Sequence, residues 1–171
     1  MRDKKVGRVA AYGMLIALAM IFSYVESQVP VFLAVPGMKL GLTNIVVLFA
    51  LYCIGTQSAV GVNVLRVVLT GVMFGNGFSL YYSLAGALLS GIVMIGLKKV
   101  GKFHLVTVSI AGGIAHNVGQ ILVAYVFLRS KALLGYLVVL WFTGLAAGAV
   151  IGVIGAVVCG RLQKVVGLYL T

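Results

Sequence analysis

Apolar stretches separated only by short polar or glycine-rich breaks occupy nearly the whole of this chain. Most approach the roughly 20 residues that a helix needs to cross the hydrocarbon of a bilayer. In lipid, every backbone N–H and C=O must find its partner inside the protein, which leaves helices and closed barrels, and runs of this length choose helices. With 63% apolar residues and only two acidic side chains, Asp3 and Glu26, the chain has no surface that a soluble domain of 171 residues could show to water. The expected fold is therefore an all-α membrane protein, one domain over 1–171. Its six transmembrane helices are expected at about 6–25, 41–54, 58–74, 78–97, 103–127 and 134–161. The second is short for a span. A basic N-terminus before an apolar run resembles a signal peptide, but no small-x-small cleavage site precedes Glu26-Ser27-Gln28, so the first helix is expected to be retained.

Between the first two helices, 26–39 holds both prolines, Pro30 and Pro36, and is expected to be an apolar loop folded back on the protein as a lid. Thirteen Lys and Arg give a formal charge of +11, yet they sit at helix ends rather than on a soluble face, which argues for lipid and against nucleic acid as partner. Arg2, Lys4, Lys5, Arg8, Lys98, Lys99, Lys102, Arg161 and Lys164 fall on one side. Only Lys39, Arg129 and Lys131 fall on the other. The positive-inside rule then puts both termini in the cytoplasm and the 26–39 loop outside, across the cytoplasmic membrane.

The thirteenth cation is Arg66, in the middle of the third helix. An arginine at that depth costs about 3 to 10 or more kcal/mol unless it has a partner, a wet cavity or a ligand. Asn63 shares its helix face at i,i+3 spacing. Asn44, Asn76, Tyr82, His116, Asn117, Gln120 and Trp141 fall at similar depth or further out, and Lys39 lies in the loop above. These residues would line a polar, aromatic cup open to the outside, suited to a small molecule with a flat or anionic part. Each also has a structural alternative: Tyr and Trp as interfacial residues, Asn and His as interhelical glue, Arg66 as a partner of Glu26.

Other chemistry is poorly supplied. Gly96-Leu97-Lys98-Lys99-Val100-Gly101-Lys102-Phe103 has the spacing of a phosphate loop, but Phe103 stands where Ser or Thr must hold magnesium. Diphosphate chemistry with magnesium needs paired carboxylates, and none are paired here. No metal ligand set is visible, so neither a metal nor a cofactor is expected. Cys53 and Cys159 read as small core residues of separate helices. Proton coupling through Glu26 or His116 is a further alternative.

From Pro36-Gly37-Met38-Lys39-Leu40-Gly41-Leu42-Thr43-Asn44, through Leu65-Arg66-Val67, Phe74-Gly75-Asn76 and the Tyr82–Ser90 run, to Ala115-His116-Asn117-Val118-Gly119-Gln120, the sequence resembles a family called Gx transporters. The same family is known as heptaprenyl diphosphate synthase component I. It is similar to the S components of energy-coupling factor (ECF) transporters. That resemblance implies a six-helix subunit that captures a micronutrient outside, flavin-like or an anionic isoprenoid-related molecule. It would work with an ECF coupling protein and two ATPase subunits, which would use the ATP. It also implies a coupling-protein docking stripe on the first helix, whose nearest equivalents are Gly7 with Ala11 and Gly13 with Ala17. The absent carboxylates argue against catalysis by this chain, and the alternative is a membrane partner subunit of a prenyl diphosphate synthase.

Overall fold

A computed structural model describes residues 2–28, 41–74, 77–130 and 132–170, and among them every regular element is helical. Helix α1 spans Arg2–Gln28, α2 Asn44–Phe49, α3 Thr56–Phe74, α4 Gly77–Val100, α5 Leu105–Leu128 and α6 Ala132–Leu170. Helix α2 runs directly into a single π-helical turn, Ala50–Ile54. Among the described residues, five helices are long and apolar enough to cross a membrane. The protein is thus a six-helix, multi-pass membrane protein, as the hydropathy implied.

Its interior is the reverse of a soluble core. Glu26, Asn44, Asn63, Arg66, Ser90, His116, Asn117 and Gln120 are buried, whereas Val60, Val64, Val68 and Val72 along α3 and Val150, Val153 and Val157 along α6 are exposed. With lipid outside there is no hydrophobic drive between helices, so close backbone contact has to hold the bundle. Helix α5 sits centrally, half of its span buried. Along α6, Gly144, Gly148 and Gly152 recur every fourth residue and face it. A Cβ on Gly148 would lie 2.7 Å from the Cα of Ile110, and one on Gly113 would lie 2.5 Å from the Gly144 carbonyl oxygen. On its other side, a Cβ on Gly119 would come within 2.7 Å of the Ala85 carbonyl oxygen of α4. Helices α4, α5 and α6 are therefore joined where side chains are missing. Not every glycine serves this end, for Gly96 and Gly160 have nothing within 4 Å of a Cβ.

Most boundaries shift by a few residues from the sequence expectation, and three of the differences change the picture. Residues 26–28 belong to α1 rather than to the loop, and the rest of the predicted lid, including Lys39, lies outside the described residues, as does Asn76. Helix α6 continues past 161 to Leu170, because Arg161 and Lys164 are compatible with a helix leaving the hydrocarbon and do not end it. The second apolar run, 41–54, is helical only from Asn44, and with its π turn rises about 16 Å against roughly 30 Å of hydrocarbon. Here Gly55 N–H donates to the Ala50 carbonyl, five residues back, at 2.8 Å. Gly55 then takes φ 145°, ψ 169°, which only glycine adopts readily, and the chain reverses into α3.

Cys53, in the π-helical turn, and Cys159, on α6, are both free thiols of separate elements.

Replacing Gly148 with Leu should force α5 and α6 apart and lower stability by about 1–3 kcal/mol or more. Gly96→Leu, where the added side chain meets open space, should leave stability unchanged. Thermal unfolding in mild detergent reads the difference.

Candidate functional site

Arg66 is 4% exposed, midway along α3. Its Nε and Nη2 donate to one oxygen, Asn63 Oδ1, at 3.1 and 2.9 Å, the contact that i,i+3 spacing makes available. Asn63 in turn spends its amide N–H on the Ala87 carbonyl of α4, 3.1 Å away. This fixes which way the amide faces, with oxygen to the cation and nitrogen to the carbonyl. Arg66 Nη1 donates to the hydroxyl of Thr43, and the Thr70 hydroxyl donates to the Arg66 carbonyl one turn on. A guanidinium has five N–H donors. These bonds use three, and one on each terminal nitrogen is left without an acceptor among the described residues.

Thr43 belongs to a tight turn that starts α2. Asn44 N–H donates to Gly41 O at 2.8 Å, Ile45 N–H to Leu42 O at 3.1 Å and Val46 N–H to Thr43 O at 3.1 Å. Gly41 enters this turn at a left-handed φ of +84°, and the N–H groups of Gly41 and Leu42, which precede the first i→i+3 bond, point back out of the helix. In a membrane no water can take them. The Glu26 carboxylate, at the far end of α1, does so: its Oε1 accepts both, the Leu42 bond being 3.1 Å. An anion at a helix N-terminus also meets the positive end of the helix dipole. Glu26 and Arg66 thus hold the same turn, one through its backbone and one through the Thr43 hydroxyl, and they attract each other electrostatically.

The fourth side of the turn is α5. The His116 ring, 3% exposed, fills the space left by two glycines: a Cβ on Gly41 would lie 3.3 Å from it, and one on Gly86 of α4 would lie 2.9 Å from it. His116 Nε2 and Gln120 Nε2 are 3.1 Å apart, one helical turn along. Asn44 is buried beside Gly41, its Nδ2 without a hydrogen-bond partner among the described residues. Ser83 Oγ and Ser90 Oγ on α4 are likewise unpartnered.

Of the residues expected from sequence, Asn44, Asn63, Arg66, His116 and Gln120 converge around one turn. The rest do something else. Asn117 points to α6, donating to the Leu140 carbonyl at 2.7 Å and to Thr143 Oγ1 at 3.3 Å, and so ties helices together. Tyr82, 3% exposed, packs in an apolar cluster with Ile121, Ala124, Leu133 and Leu140. Trp141 is 43% exposed and stacks edge-on against Phe142 with ring centres 5.4 Å apart, outside the polar cluster. On α1, Gly13 and Ala17 face outward with Met14 and Leu18, while Gly7 and Ala11 are half-buried. Thr43 and the capping role of Glu26 were not anticipated. The one signal for them was a carboxylate and a hydroxyl flanking a proline-containing loop in a chain almost without acids.

Such a structure, multi-pass, helical and polar at its centre, is that of an integral membrane protein with a charged cluster buried among its helices. The family model described as heptaprenyl diphosphate synthase component I matches residues 15–158, which is most of the chain and includes the whole cluster. The chain belongs to that family. No curated protein and no solved structure matches it.

Removing the carboxylate with Glu26→Ala should leave the Gly41 and Leu42 N–H groups unsatisfied in the membrane. The expected loss is on the order of 3 kcal/mol, with amide hydrogen exchange rising at 41–46 before it rises in α5. Exchange that stays unchanged at those positions would show that Glu26 does not hold the turn.

Proposed function

We propose that this protein is the substrate-binding S component of an ECF-type transporter in the cytoplasmic membrane. In this reading it binds a small anionic micronutrient and is driven by an ECF coupling protein with two ATPase subunits. One observation carries the reading: Arg66 is buried at mid-span and, among the described residues, keeps an N–H without an acceptor on each terminal nitrogen, next to an Asn44 amide nitrogen that likewise has no partner among them. Donors on adjacent nitrogens are the complement of a carboxylate or phosphate, whose oxygens take paired bonds from a guanidinium. In hydrocarbon such an arrangement is worth more than in water, because the alternative is an uncompensated charge.

The chain's own residues divide the work. Asn63 and Thr43 hold the guanidinium plane, Glu26 holds the turn that carries Thr43 and Asn44, and His116 with Gln120 closes the side facing α5. An anion reaching Arg66 would find the cation already oriented, with no side-chain entropy left to lose.

A second reading draws on the family description, which names a synthase component. Here the protein would be the membrane partner of a prenyl diphosphate synthase, and Arg66 would be a structural cation or a contact for a lipid diphosphate.

Purification from native membranes in a gentle detergent separates the two. A membrane coupling protein and two ATPases are the expected companions. A soluble, aspartate-rich synthase without ATPases would replace the transport reading with the second. Within the transport reading, Arg66→Ala should reduce the co-purified anionic ligand roughly ten- to a hundredfold, the range for loss of charge-assisted hydrogen bonds. Helix content should be unchanged.

A further inference from the structure

The end of α2 meets α6 through sulfur. One turn earlier along both helices they touch where a side chain is missing: a Cβ on Gly155 would lie 2.9 Å from Leu48 Cδ2. The next residue on that face of α6, four positions on, is Cys159. In a continuous α-helix the residue following Leu48 on its face would be Tyr52. The turn Ala50–Ile54 is instead π-helical, closed by Gly55 N–H on the Ala50 carbonyl, and such a turn takes up one extra residue. Cys53, five residues after Leu48, therefore comes round to α6. The two thiols, the only cysteines of the chain, make a side-chain hydrogen bond there.

Access to the pair is one-sided. Cys159 is 5% exposed, on the face of α6 that the π turn packs against. Cys53 is half-buried and lines a pocket of about 340 Å³ at the basic end of the bundle, with Arg8, Tyr12 and Ser58 among its other walls. Arg161 follows Cys159 by two positions, and Lys98 donates to the Leu51 carbonyl two positions before Cys53. The thiols thus lie where the helices leave the hydrocarbon, in reach of water-borne reagents through Cys53. The cations around them favour a reagent that is itself anionic. Neither thiol belongs to the Arg66 cluster.

We propose that Cys53 and Cys159 form a reversible disulfide with a small anionic disulfide such as glutathione disulfide as oxidant, and that this bond clamps the end of α2 to α6. The Cys53 thiolate attacks the oxidant, a mixed disulfide forms, and one glutathione leaves as a thiolate that takes up the proton Cys53 released. The Cys159 thiolate then attacks Cys53 Sγ and expels the second glutathione, which takes up the proton of Cys159. Two protein thiols are oxidised to one disulfide, and one glutathione disulfide is reduced to two thiols. Excess glutathione runs the exchange backwards. A pair of this kind reports the redox poise of its compartment and is not a permanent staple. The helix it clamps begins at Asn44, so oxidation steadies the short element on which the buried cluster is built.

The test treats the full chain in nanodiscs with glutathione disulfide and reads intact mass, linked peptides and amide hydrogen exchange. The unsubstituted protein should lose two hydrogens without keeping glutathione, yield a peptide linked through Cys53 and Cys159, and regain both thiols in dithiothreitol. Cys159→Ser should stop at a glutathione adduct on Cys53, and Cys53→Ser should stay unmodified because Cys159 is covered. In the oxidised protein, exchange over 44–54 should slow roughly tenfold and recover on reduction. A lasting glutathione adduct on Cys53 of the unsubstituted protein, disulfides only between separate chains, or thiols that do not react while the protein is folded would overturn the pair. Exchange over 44–54 that is the same in both redox states would overturn the clamp. The mass of the unsubstituted protein decides the first question even where a variant fails to fold. Neither cysteine touches Arg66, so this result and the transport reading succeed or fail separately.

Discussion

An unpaired backbone N–H in hydrocarbon costs several kcal/mol, and the centre of this protein is organised around meeting that constraint at one place. Helix α2 starts inside the bundle, not at its surface. The N–H groups of Gly41 and Leu42, in the turn that leads into it, are taken by Glu26, brought there by the full length of α1. Once the carboxylate is fixed, the turn 41–44 is fixed, and Thr43 and Asn44 with it. Arg66 then has a hydroxyl to meet, and His116 has a glycine to pack on. A single acidic residue thereby sets the positions of groups from three other elements.

Two kinds of cohesion divide the bundle. Helices α4, α5 and α6 are held by backbone approach at glycines, which is insensitive to charge and to water. Helices α1, α2 and α3 are held by hydrogen bonds between polar side chains and backbone, with open grooves between α1 and α3. Among the described residues the contacts that join the halves include the Asn63–Ala87 and Lys98–Leu51 hydrogen bonds and the His116 ring lodged between Gly41 and Gly86. Placing the rigid packing on one side and the adjustable bonding on the other locates the chemistry in the second.

Much of this was readable in advance. Long apolar runs located five of the helices, since nothing but a helix satisfies such a backbone in lipid, though α1 starts four residues earlier and α6 ends nine residues later than expected. The pairing of Asn63 with Arg66 followed from their spacing. What could not be read was facing. In a helix that is apolar all round, no moment shows which side looks inward, so Tyr82 and Trp141 were both expected at the centre and only Tyr82 is buried. Its neighbour Tyr81, 54% exposed, has the same chemistry and the opposite environment. The start of α2 was hidden for a different reason, because the residue that caps it lies fifteen positions earlier, beyond two prolines.

The far end of α2 is held as well. The ammonium of Lys98, from the last turn of α4, donates to the Leu51 carbonyl and lies 5.2 Å from the centre of the Tyr52 ring. An anion at the first turn and a cation at the last meet both poles of the helix dipole. Both come from other helices, one synthesised before α2 and the other two helices later. Eleven residues are too few to cross the bilayer unaided. So α2 is the one helix here that cannot be placed by the insertion machinery as an independent span. Its seating has to wait for α4, which makes completion of this short helix a late event in the biogenesis of the protein.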